Sequence, residues 1–337
     1  MNILETFNLS VEFKARQGLL GSVRVQALEN VSIALSRGES LAIVGESGSG
    51  KTTLARACLL LIKSSSGSIL FDGAELSGAS EKNLIDFRRK TQAIFQDPYS
   101  SLDSYMTIGQ IVEEPLIIHQ IKDATTRRLS AENALEEVRL SPSNDFYPKF
   151  PHMLSGGQRQ RVAIARALVL GPDLIIADEP VSMVDASSRT EILYLMRELQ
   201  EKHNTAFIYI THDIATAYHF SDRIAVMYAG HIVETGPTKK VISNPLHPYT
   251  RALVEAVPQP DPSNRFRKRA TIHGEPPSAV NPPSGCRFHP RCPNAFEGCD
   301  SNNPSLIEIR NNHEVACHLW KKFDGESHLP KTIAGSK

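Results

Sequence analysis

The stretch Gly45-Glu46-Ser47-Gly48-Ser49-Gly50-Lys51-Thr52 constrains this chain more than any other. An apolar run, ESLAIVG, leads into it, and a helix-forming run, TTLARACLLLI, leaves it. Strand, glycine-rich turn and helix in that order make a phosphate-binding unit. The glycines let the backbone turn sharply, so that successive N–H groups face one point and can hold phosphate oxygens. The N-terminal end of the following helix adds partial positive charge there. Lys51 is expected to reach the β- and γ-phosphates, the Thr52 hydroxyl to ligate Mg²⁺, and Thr53 to continue the cradle.

A second acidic motif follows far downstream. Leu174-Ile-Ile-Ala177 reads as a buried strand with Asp178 and Glu179 at its carboxyl end, where ligands bind in open α/β sheets. Asp178 is placed to hold Mg²⁺ through water, and Glu179 to polarise an attacking water as general base. Further apolar segments, AFIYITH and RIAVMYAG, alternate with a helical stretch, RTEILYLMRELQEKH, suited to a crossover. The alternation predicts an α/β fold with a largely parallel sheet covered by helices.

Between these motifs lies Leu154-Ser155-Gly156-Gly157-Gln158-Arg159-Gln160-Arg161, running on to Leu168. It resembles the signature motif of ABC transporter ATPases, and it sits shortly before the second acidic motif as in that family. Ser155, Gly156, Gly157 and Gln158 then open a helix as an anion-binding nest. The resemblance implies a P-loop NTPase cassette: a mixed, mainly parallel sheet, an antiparallel β subdomain and a helical signature subdomain at about 97–165. It also implies roles for further residues. Gln96, in IFQDP, matches the glutamine that contacts Mg²⁺ and the attacking water. His212, in YITHD, matches the switch histidine at the γ-phosphate. Asp185 matches an aspartate that communicates across a dimer, although Met183-Val184 stand where the family usually has Ala-Leu. Phe13 stands where an aromatic residue stacks on adenine; the alternative is an ordinary hairpin core residue. The family works as a head-to-tail dimer, each ATP lying between the P-loop of one subunit and the signature nest of the other. A single chain therefore needs an identical or homologous ATPase partner, a heterodimer being expected ahead of a homodimer.

Two segments resemble the oligopeptide/dipeptide importer branch: the run from Gln96 to Gln110, and Asn244-Pro-Leu-His-Pro-Tyr-Thr-Arg-Ala-Leu253 with the cysteine-bearing segment after it. This divides the chain into an ATPase domain at 1–243, a small irregular C-terminal region with the four-cysteine cluster at 244–325 and a tail at 326–337. The branch implies ATP hydrolysis that drives import of small peptides through two permease subunits fed by an extracytoplasmic binding protein. Oligosaccharide or nickel cargo is the alternative, and a soluble ABC ATPase acting on DNA or ribosomes a further one. Tyr99, Met106, Ile108 and Leu116 are candidates for a groove receiving the permease, the core of the helical subdomain being an equal alternative for Ile108 and Leu116.

Of five cysteines, Cys58 stands alone and Cys286, Cys292, Cys299 and Cys317 cluster with C-x5-C-x6-C-x17-C spacing. That is not the close-paired spacing of a zinc ribbon. Four thiolates can hold a [4Fe–4S] cluster or one Zn²⁺, or remain free; the branch resemblance favours the cluster. Lys plus Arg equals Asp plus Glu at 37 each, so no excess of positive charge points to nucleic acid. No apolar run approaches the ~20 residues of a membrane-spanning helix, and MNILETFNLS has no signal-peptide pattern. The expected location is peripheral, on the cytoplasmic face of the cell membrane.

Overall fold

The structure, a computed structural model, describes residues 1–17, 21–121, 123–257, 272 and 274–321. The tail expected at 326–337, and 322–325 before it, lie outside the described residues.

The chain opens with two long strands, β1 (Asn2–Gln17) and β2 (Gly21–Ser36), followed by β3 (Ser40–Val44) and α1 (Lys51–Cys58). Next come β4 (Ser66–Phe71) and β5 (Ala74–Glu75), which complete an antiparallel sheet of order β2-β1-β4-β5. Helix α2 (Glu81–Lys90), capped by Ser80, leads into β6 (Thr91–Ile94). A helical block follows: α3 (Pro98–Ser101), α4 (Ile108–Ile118), α5 (Ala124–Glu137), α6 (Ser143–Phe146) and α7 (Gly156–Leu168). The chain then alternates through β7 (Leu174–Asp178), α8 (Ala186–His203), β8 (Ala206–Thr211), α9 (Ile214–Phe220), β9 (Arg223–Tyr228) and β10 (His231–Pro237). It ends with α10 (Thr238–Ser243), α11 (Pro248–Ala256), β11 (Ile307–Arg310), β12 (His313–Val315) and α12 (His318–Lys321).

The second sheet has order β11-β12-β10-β9-β3-β8-β7-β6. Its pairs from β6 to β9 are parallel, and β10, β12 and β11 add antiparallel pairs at one edge. The parallel part is buried on both faces, so its strands are continuous apolar runs with alternate residues serving different cores. On β3, Leu41 and Ile43 pack towards α1 and the antiparallel sheet, while Ala42 and Val44 pack with α9 and α10. On β7, Leu174 and Ile176 join the first of these cores, and Ile175 and Ala177 face the helical block. Each such fully buried Leu or Ile contributes about 1.5–3 kcal/mol. Among the described residues no helix is long and apolar enough to cross a membrane.

The proline-rich C-terminal region attaches to the edge of this sheet, its short strands paired on β10. A fully buried carboxylate holds the junction. Glu234 accepts the backbone N–H groups of Leu246 and His247, both at 2.8 Å, and lies 2.7 Å from His313 Nε2. Hydrogen bonds to a charged group are worth about 1.5–3 kcal/mol each, which offsets the cost of burying the carboxylate.

Candidate active site

The glycine-rich loop joins β3 to α1, as the sequence predicts. A Cβ on Gly45 would lie 2.2 Å from Met227 O, so no larger residue fits. Gly50, at φ +101°, turns the chain into α1, and a Cβ there would come within 2.7 Å of Ala27 O. Lys51 is buried and folds back over the loop. Its Nζ donates to Gly45 O and Glu46 O, both at 2.8 Å, and reaches Ser49 Oγ at 3.5 Å. Burial pulls its pKa below the ordinary lysine value, against the pull of Glu179, Asp178 and Glu46. An ammonium resting on loop carbonyls in this way can exchange them for phosphate oxygens.

Thr52 Oγ1 donates to Asp178 Oδ1 at 3.3 Å, which joins the start of α1 to the end of β7. Burial raises the Asp178 pKa, and the Thr52 hydrogen bond works against it. The Thr52 hydroxyl, the Asp178 carboxylate and the Gln96 amide are hard oxygen donors of the type Mg²⁺ takes. These residues would hold the ion, which when bound would offset the charge of the phosphates.

Glu179 receives the strongest positioning. Its backbone lies at φ +45°, a conformation that costs a non-glycine residue about 1–3 kcal/mol and recurs at functional sites. Its N–H donates to Ile210 O at 2.9 Å, and its carbonyl accepts from Ser182 N and Oγ, both at 3.1 Å. The carboxylate then meets two side chains at once. Gln96 Nε2 donates to Oε2 at 3.0 Å, and His212 Nδ1 lies 3.0 Å from Oε1. The ends of β6, β7 and β8 therefore bring Gln96, Glu179 and His212 together beside the phosphate loop. A fixed carboxylate here suits polarisation of a water for attack on a terminal phosphoryl group.

The signature residues lie at the N-terminus of α7. Ser155 caps it in a reciprocal box: its Oγ accepts from Gln158 N at 3.3 Å, and Gln158 Oε1 accepts from Ser155 N at 3.0 Å. Gly157 is buried, and a Cβ on it would stand 3.2 Å from the Ser188 side chain, so α7 packs closely on the start of α8. Asp185 caps α8, accepting from Ser188 N at 2.9 Å and Ser187 Oγ at 2.6 Å. These bonds, the Ser187 one first, hold its carboxyl down at about 2, so it is an anion at neutral pH.

Other predicted residues fall out less evenly. Phe13 is 41% exposed on β1 opposite Val25, so it is not a core residue. Ile108 and Leu116 are buried in the helical core, and Met106 packs against it; only Tyr99 is exposed and available to a partner. An exposed groove is formed by other residues. It has a volume of about 370 Å³ and is lined by Leu59, Leu61, Phe95, Ile118, His119 and Arg166 among others. Leu61, Phe95 and Ile118 are exposed apolar residues from three separate segments, and such a groove has no signature in the linear sequence.

Cys286, Cys292, Cys299 and Cys317 line one cavity of about 10 Å³. Burial pushes Cys292 up to about 11 and Cys317 up to about 12, and it raises Cys286 as well, so those three are neutral thiols as arranged. Among the described residues no group of three or more His, Cys, Asp or Glu is placed to hold a metal ion. Cys58 is buried apart in the core around α1.

Comparison with known proteins adds to this geometry. Residues 28–182 match the family model described as ABC transporter, and residues 233–299 match "Oligopeptide/dipeptide transporter, C-terminal region". The chain is 46% identical over 310 residues to a probable peptide ABC transporter ATP-binding protein of Sinorhizobium fredii, covering 92% of this chain and 87% of that one. It is 44% identical over 325 residues to a putative oligopeptide transport ATP-binding protein of Bacillus subtilis, covering 96% and 97%. A di/tripeptide transport ATP-binding protein of Pseudomonas aeruginosa is 42% identical over 326 residues, covering 96% and 99%. Among solved structures, an ATP-binding cassette captured as a dimer in a post-hydrolysis state with ADP and Pi superposes with a TM-score of 0.61 at 30% identity, over 70% of this chain and 98% of the other.

Proposed function

This chain belongs to the ABC transporter family, and on that premise we propose that it is the ATP-hydrolysing subunit that energises import of small peptides through a membrane permease. The observation that carries the reading is the Glu179 carboxylate held between Gln96 and His212 beside the phosphate loop. In this reading Gly45 to Thr53 bind the triphosphate, and Thr52, Gln96 and Asp178 hold Mg²⁺. Glu179 is the general base, and His212 and Gln96 orient water and γ-phosphate. Ser155 to Gln158 serve the ATP of a partner ATPase, homologous or identical, with Asp185 at that interface and Phe13 against the adenine. The likeness to a cassette solved as a dimer supports this arrangement.

The permease is expected to dock in the groove of Leu61, Phe95 and Ile118, with the exposed Tyr99 as a further candidate contact. In this reading the chain sits peripherally on the cytoplasmic face of the membrane. The names of the relatives support peptide cargo and the branch supports an extracytoplasmic binding protein. Reconstitution of the chain with two permease subunits and its partner ATPase in vesicles tests the whole reading. ATP-dependent uptake of di- to oligopeptides is expected. ATP-dependent uptake of nickel or an oligosaccharide instead would replace the cargo, and absence of any ATP-dependent uptake would overturn the role.

We further infer that Cys286, Cys292, Cys299 and Cys317 are the ligand set of a [4Fe–4S] cluster, supported by their convergence from separate segments on one cavity. Soft thiol donors fit iron, and the group would supply a structural cross-link after the thiols lose their protons. Anaerobically purified protein is expected to be brown, with about four irons per chain, and Cys286→Ser is expected to bleach it. Colourless protein, with zinc or with no metal, would reject the cluster.

A further inference from the structure

The segment Cys286-Arg287-Phe288-His289-Pro290-Arg291-Cys292 is remote from the phosphate loop in sequence, yet Arg291 bonds that loop directly and Arg287 bonds a neighbouring turn that leans on it. Arg291, 245 residues from Glu46 in the chain, donates from Nη1 to Glu46 Oε2 at 2.8 Å and from Nη2 to Oε1 at 3.3 Å. Nη1 also donates to Tyr228 Oη at 3.1 Å. The Arg291 side chain is only 8% exposed, so this is not a solvent-screened surface pair of small worth. Glu46 is gripped a second time through its backbone, whose N–H donates to Tyr249 Oη at 2.8 Å.

The wall behind Glu46 is rigid. Tyr228, Tyr249 and Phe288 are almost fully buried and pack ring on ring, with centroids 4.7, 5.1 and 5.4 Å apart. Phe288 comes from the same segment as Arg291, so the C-terminal region builds part of that wall. At the other end of the loop, Arg287 donates to Ala229 O and to Glu29. The next residue, Gly230, donates its N–H to Ser49 O at 2.9 Å. One short segment thus holds the phosphate loop directly at Glu46 and, through Ala229 and Gly230, indirectly at Ser49.

Two physical consequences follow. A loop that binds phosphate through convergent N–H groups depends on being preorganised, because any freedom it has must be lost on binding. Glu46 also places a carboxylate inside a loop that must accept a polyanion, and Arg291 neutralises it. We propose that Arg291 is a positioning residue of the ATP site, which fixes Glu46 and so sets the affinity of the loop for ATP. The C-terminal region then works as part of the nucleotide site, and the inference rests on the ATP-binding reading above.

The test is calorimetric binding of Mg·ATP to the full chain, with thermal melting measured separately without nucleotide. Arg291→Ala is expected to weaken ATP about tenfold. Arg291→Lys, which keeps the charge and loses the fork, is expected to weaken it about threefold. Glu46→Ala removes the anion that needs neutralising, so it should cost less than Arg291→Ala. The double variant should then bind like Glu46→Ala, within about twofold. In steady-state hydrolysis the Arg291→Ala defect should appear in KM with kcat nearly unchanged, the mark of lost uniform binding. ATP affinity unchanged in Arg291→Ala despite a lower melting temperature would overturn the proposal, as would additive losses in the double variant. Should Arg291→Ala fail to fold, Arg291→Lys and Glu46→Ala decide the same question. Failure of the wild-type chain to bind ATP would overturn the functional reading and this inference with it.

Discussion

Glu179→Gln is expected to cut steady ATP turnover by about a thousandfold while ATP binding persists. The amide matches the carboxylate in size, so the left-handed backbone at Glu179 and its bonds to Ile210 and Ser182 survive. What is lost is the charge that attracts a proton from water. In the proposed reading the phosphates are held by the loop and Lys51, whose hydrogen bonds to Gly45 O and Glu46 O do not involve Glu179. Single-turnover measurements with radiolabelled ATP, alongside equilibrium binding, separate the two effects. Turnover within about tenfold of wild type would remove Glu179 from the general-base role. Equal loss of binding would show instead that the substitution had disturbed the loop. Loss at Gln96→Ala or His212→Ala is expected to be smaller, because each supports the carboxylate and neither supplies it.

Legibility from sequence followed the range of the interactions. The phosphate loop, the Asp178-Glu179 pair and the Ser155 cap are built within a few residues, and their spacing alone predicts the geometry found. Gln96 and His212 are distant in sequence, but each ends a strand of one parallel sheet, so family resemblance located them. Ile108 and Leu116 were ambiguous because an apolar residue at helical spacing suits a core and a docking groove equally well; tertiary packing placed both inside. The exposed groove joins residues near 60, near 95 and near 118, a juxtaposition that no local pattern encodes. The C-terminal region reads as irregular in sequence because β11 and β12, of 4 and 3 residues, are too short to show alternation. Arg287 and Arg291 looked like basic residues between cysteines, and their partners Glu29 and Glu46 are more than 240 residues away.

Ser155→Arg is expected to lower turnover of the assembled transporter at least about a hundredfold while the lone chain binds ATP as well as wild type. The split follows from where Ser155 stands. Its hydrogen bonds run to Gln158 within its own helix cap, whereas Lys51, Thr52, Asp178 and Glu179 form a separate connected group. A nest of N–H groups at an exposed helix N-terminus, unused by the chain's own phosphate loop, suits the triphosphate of a partner. An arginine there would lose the hydroxyl cap and crowd the incoming phosphate. Lys51→Ala supplies the contrast, since it should weaken ATP binding and abolish turnover together. Binding by the isolated chain and hydrolysis by the assembled complex are therefore the two readouts. If Ser155→Arg weakened ATP binding to the isolated chain as much as Lys51→Ala does, the signature residues would serve the same chain's nucleotide and the shared site would have to be abandoned. If turnover survived in the complex, the N-terminus of α7 would be no more than a well-capped helix end.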